Sequence, residues 1–150
     1  MPARLTRQMN LLDWMPPPAT VEFNPADVRG ATIAARLSRA VSQALKDCKA
    51  KREEVAERMT RFLGGPEVTK AMIDAYASPA RPDHAIGVPR FMALIHATGD
   101  RRLLQMLADE MGWAVIERRH LPLIEVAELR EEEDRLRALR KAKMAQAGRR

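Results

Sequence analysis

From Ile33 onward the chain places apolar residues at helical spacing. Ile33, Leu37, Ala40, Val41, Ala44 and Leu45 recur at i, i+4, i+7, i+8, i+11 and i+12, which predicts a helix over about 32–47 with Arg36, Arg39 and Lys46 on its other face. A second helix over about 52–63 turns Val55, Ala56, Met59, Phe62 and Leu63 inward. It opens with Glu53 and Glu54, which suit the positive end of a helix dipole, and stops at Gly64-Gly65-Pro66. Val68, Ala71, Met72, Ala75 and Tyr76 mark a third. It begins either at Pro66 or after a Thr69 N-cap, and the second choice makes Val68 and Ile73 a hydrophobic staple.

The same reading continues past the loop at 78–87. Pro89 suits the start of a fourth helix, with Val88, Phe91, Met92 and Ile95 as its stripe and Gly99 at its end. Asp100 is placed to cap a fifth, with Leu103, Leu104, Leu107 and Met111 expected inside and Gly112 closing it. The stretch from Trp113 to His120 is short and β-prone, an extended strap expected to hold Trp113, Val115 and Ile116 against the bundle.

Pro122 begins a last helix running toward residue 145. Residues 125–134 hold six acids and the single base Arg130, and residues 135–150 hold seven bases and no acid. Acid first and base last matches the macrodipole, and Glu131 with Arg135 or Glu133 with Arg137 would pair at i, i+4. Val126, Leu129, Leu136 and Leu139 form a thin seam, too short and irregular to promise a coiled coil.

Before Ile33 the pattern is different. Leu11, Leu12, Trp14, Val21 and Phe23 are strung among Pro16, Pro17, Pro18 and Pro25, which disfavour helix and predict an extended leader. Its apolar residues either lie across the body of the protein or dock into a partner. The expected organisation is a proline-rich leader at 1–31, a helical bundle at 32–121 and a charged helix with a basic tail at 122–150.

Composition adds three constraints. One hundred and fifty residues suit one domain with tails, and with only 4% aromatic residues the core must be built from Leu, Met, Val, Ile and Ala. The net charge of +6 suits a polyanionic partner. The single cysteine, Cys48, allows no internal disulfide, and no apolar run has the length of a signal peptide or of the roughly 20 residues that cross a bilayer. A cytoplasmic protein with no membrane contact is the default expectation.

Catalytic chemistry has little to work with. A thiol–imidazole pair of Cys48 with His84, His96 or His120 has no support from spacing, the same four residues lack zinc-ligand spacing, and Gly64-Gly65 is not followed by the Lys and Ser/Thr of a phosphate loop. The acids at 131–134 read as a solvated helix face. A non-enzymatic protein without metal or cofactor is expected.

"VAERM", "VTKAMIDAYASPAR" and "VPRFMALIHATG" together resemble the lambda-repressor-like (Xre-type) helix-turn-helix family. Ala56, Val68, Thr69, Ile73, Tyr76, Pro89 and Gly99 match its pattern in order over about 33–112, although "TRFLGGPE" is longer than the usual turn. The resemblance implies an all-α, five-helix lambda-repressor-like helix-turn-helix bundle, here with an extended N-terminal leader and a long charged C-terminal helix, that binds double-stranded DNA. Base readout would fall to Thr69, Lys70, Met72 and Asp74. Phosphate contacts would fall to Arg36, Arg39, Lys49, Lys51, Arg52, Arg58, Arg61, Arg81 and Arg90. The whole chain, including "LLDW", "REEVAERM" and "LPLIEVAELR", also resembles small proteins of Mu-like transposable phages and prophages. That context implies a transcriptional regulator or an accessory of transposition. The alternative is a protein-interaction adaptor whose leader docks a protein partner and whose C-terminal helix forms a homodimer.

Overall fold

Thr32 sets the first boundary: its Oγ1 accepts from the Ala35 N–H at 3.1 Å and launches α1, Ile33–Asp47. In this computed structural model, which describes residues 18–81 and 84–148, α2 (Arg52–Leu63) follows after a four-residue connection. Gly64, at φ 63°, ends α2 in the left-handed conformation that glycine adopts without strain. Thr69 then caps α3 (Lys70–Tyr76) by accepting from the Met72 N–H at 3.3 Å, so the helix begins there and not at Pro66. Helices α4 (Val88–Thr98), α5 (Arg102–Asp109) and α6 (Leu121–Ala147) complete the chain, with a short 3-10 turn at Arg118–His120 before α6. The chain is all-α, with no strand among the described residues, and none of its described helices is long and apolar enough to cross a membrane.

The described residues fall into two compact units. The first, Thr20–Ile116, holds α1 to α5 and the core. Met59, Ile73, Leu94, Leu103, Val41 and Val55 are its largest fully buried side chains. The most extensive helix pairing is α2 with α4, where buried Ala93 and Ala97 leave room for close approach and Arg58 donates to the Ala97 carbonyl at 3.2 Å. Phe23 of the leader is buried in this core, whereas Leu11, Leu12, Trp14, Pro16 and Pro17 lie outside the described residues. Arg102 places its guanidinium 4.3 Å from the centre of the Phe23 ring and bonds Asp100 and Asp47 at 2.6 and 2.7 Å. The Arg102 bond holds the Asp47 carboxyl below the ordinary range, and the two carboxylates hold Arg102 charged. One side chain thus ties the end of α1, the start of α5 and the leader.

Several expected burials are corrected. Ile33, Phe62, Ala71, Val88, Met92, Leu104 and Met111 are exposed. In α4 the buried face is Phe91, Ala93, Leu94 and Ala97, the last of which accepts from Arg58 of α2, and Met92 falls on the other side of the helix. In α5 the polar Gln105, only 2% exposed, takes an interior position. Its Oε1 accepts from the Val115 N–H at 2.6 Å and its Nε2 donates to Asp109 at 2.5 Å, so a fully bonded amide displaces Leu104 to the surface. The strap is therefore anchored by Gln105 and by half-buried Val115 and Ile116, while Trp113 is 65% exposed.

The second unit contains the 3-10 turn and α6. Every residue of α6 is exposed. Its ion pairs fall at i, i+3, Arg135 with Glu132 at 3.8 Å and Arg137 with Asp134 at 3.3 Å, in place of the expected i, i+4 pairs with Glu131 and Glu133.

Candidate nucleic-acid interface

The segment between α2 and α3 is held by one hydroxyl. Thr60 Oγ1 donates back to the Ala56 carbonyl at 3.0 Å and accepts from the Val68 N–H at 2.8 Å, immediately before the Thr69 cap. Buried Val68 and Ile73 lie on either side of the cap, as a staple requires. These contacts fix the start of a helix too short to be stable alone.

A second link joins the start of α2 to α3. Asp74 accepts from Arg52 of α2 and from Lys70 Nζ at 2.7 Å, and these two cations, Lys70 first, hold its carboxyl below the ordinary range. Tyr76 is tied to α4 by Arg90, which donates to its hydroxyl at 2.8 Å.

Among the four base-readout candidates, Thr69 and Lys70 are exposed, Asp74 is engaged by two cations, and Met72 is half-buried against the core. The nine phosphate candidates divide. Arg36 pairs with Glu110 at 2.5 Å, Arg58 with Glu54 at 2.5 Å, Arg61 with Glu57 at 2.8 Å and Arg52 with Asp74, while Arg90 serves Tyr76. Arg39, Lys49, Lys51 and Arg81 are exposed and make no side-chain hydrogen bond or ion pair among the described residues. Lys49 and Lys51 flank the start of α2, where Lys51 is the N-cap residue and no side chain caps the first amides.

The groove beside the start of α3 has the opposite balance. Glu53, Glu57 and Glu67 line it with Arg61 and Lys70, around Ala56, Thr60 and Val68. Three carboxylates against two cations make it unfavourable to phosphate, so a polyanion is better received at the Lys49–Arg52 end of α2.

Two features escaped the sequence reading. Phe62, expected inside, instead stacks on His96 of α4 with ring centres 4.5 Å apart. The Thr60 latch is the other, and its only sequence signal is a threonine inside a helix, four residues after a small one. No family model, curated protein or solved structure matches the chain.

Proposed function

We propose that this chain is a non-enzymatic, phage-type helix-turn-helix protein that binds double-stranded DNA, in transcriptional regulation or as an accessory of transposition. The observation that carries the reading is the pairing of α2 with a Thr-capped α3: the start of α2 offers Lys49 and Lys51 without protein partners, and exposed Thr69 and Lys70 open α3. Arg52 and Asp74 hold the two parts in fixed relation. In this reading the lysines meet phosphate and set the register, and Thr69 and Lys70 reach base edges. Lys70 must leave Asp74 to do so. The acids Glu53, Glu57 and Glu67 oppose close approach over the groove, which keeps affinity modest.

The test is binding of the full chain to labelled duplex across salt concentration. Contact with several phosphates lowers affinity by orders of magnitude between about 50 and 200 mM salt. Lys70→Glu places a carboxylate beside Asp74 and should abolish measurable binding. Unchanged binding by that variant removes α3 from the interface.

A further inference from the structure

We infer that α6 pairs antiparallel with α6 of a second copy of this chain, in a register that sets the acidic half of one helix against the basic half of the other. The proposal is independent of DNA binding.

The starting observation is a 27-residue helix with no buried residue. At about 100° per residue, Leu121, Leu129, Leu136 and Leu139 fall within one arc of roughly 80°, and Asp134 lies on the opposite side. All four leucines are exposed. This seam is continuous enough to pack on another helix, but Glu125, Glu132 and Lys143 interrupt the same face. Hydrophobic burial alone therefore does not choose a partner or a direction.

Charge does. Only Glu132, Asp134, Arg135 and Arg137 form ion pairs within α6 among the described residues. Glu125, Glu128, Glu131 and Glu133 in the first half, and Arg140, Lys141 and Lys143 in the second, make none. A parallel pair would set acid on acid and base on base. An antiparallel pair centred near Asp134 places Glu125 level with Lys143 of the second copy, both on the leucine face, brings Leu129 level with Leu139, and lays the acidic 125–134 stretch of each copy along the basic 135–143 stretch of the other. Both ends of the pair repeat these contacts by two-fold symmetry, as a closed dimer requires. The whole length of α6 overlaps in this register, just under four heptads, and outward-facing Asp134 escapes its own copy at the axis.

The test uses the full chain with Cys48→Ala to remove the single thiol, and sedimentation equilibrium at low and high salt. A dimer is expected whose dissociation constant rises roughly tenfold or more from about 50 to 300 mM salt. Glu128→Arg with Glu131→Arg should be monomeric, as should Arg137→Glu with Arg140→Glu, and an equimolar mixture of the two should recover the dimer. Under mild oxidation, a mixture of the Leu129→Cys and Leu139→Cys chains should cross-link several-fold more than either alone. The substituted α6 positions are all exposed, so helix content by circular dichroism should match that of the Cys48→Ala parent. A chain that stays monomeric at every salt concentration overturns the proposal, as does Leu129→Cys cross-linking efficiently to itself, which is the signature of parallel pairing.

Discussion

Replacing Thr60 with valine isolates the latch between α2 and α3. The two side chains have nearly the same shape, so the change removes the hydroxyl and little else. Thr60 Oγ1 is the acceptor for the Val68 N–H at 2.8 Å in a part-buried position, and Val68 is 2% exposed, so the amide loses its partner. Losing one partner of a buried hydrogen bond costs about 1–3 kcal/mol, more than the ~1 kcal/mol net value of the bond. The hydroxyl's bond back to Ala56 contributes little to the loss, because that carbonyl belongs to the helix ladder. For a domain of 60–100 residues each kcal/mol moves the midpoint by about 4–8 °C, so Thr60→Val should melt roughly 5–20 °C below the parent. Thr60→Ser, which keeps the oxygen, should recover most of the difference. The assay is thermal unfolding followed by circular dichroism, with hydrogen exchange at Val68, Met72 and Ile73 reporting whether α3 loosens first. A valine variant that melts with the parent and leaves these amides equally protected refutes the latch.

The core and the Asp74 bridge make two further predictions. Leu103→Ala removes a fully buried side chain and should destabilise the first unit by about 2–5 kcal/mol in urea unfolding, whereas Leu104→Ala on the surface of the same helix should cost under about 0.5 kcal/mol. Lys70 and Arg52 lower the Asp74 pKa in the folded state, so the bridge contributes stability above the unfolded value, near 3.8, and that contribution is lost as pH falls through the lower folded value. Asp74→Asn should therefore narrow the difference in melting temperature between pH 6 and pH 3, and an unchanged difference excludes Asp74 as a source of acid sensitivity.

Helix positions were the most legible part of the chain because their punctuation is local. Gly64, Gly99, Thr69 and Pro89 each act on the backbone within a few residues, and α2 runs over the span its pattern predicts. Inward faces were less legible, since periodicity gives spacing but not which edge of a stripe meets a neighbour. Met92 and Leu104 lost their interior places to Ala93 and Gln105, whose value depends on the partners the fold brings to them, α2 for one and Val115 for the other. The charged candidates illustrate the same limit. Arg58 and Arg61 look as basic as Lys49 and Lys51 in sequence, yet Glu54 and Glu57 one turn earlier engage them. Those two pairs follow from i, i+4 spacing alone. The Arg52–Asp74 and Arg36–Glu110 pairs join residues distant in sequence, so only the fold reveals that these cations are already engaged.

The salt dependence of duplex binding, compared between variants, tests the central claim most directly. Fluorescence anisotropy of the full chain with a labelled duplex gives the slope of log affinity against log salt. If Lys49 and Lys51 each neutralise a phosphate, the double variant Lys49→Ala with Lys51→Ala should reduce the slope by about 0.9 per lysine. Arg61→Ala, whose guanidinium is already held by Glu57, should leave it nearly unchanged. A parent slope near zero, or a slope indifferent to the loss of both lysines, contradicts the DNA-binding account.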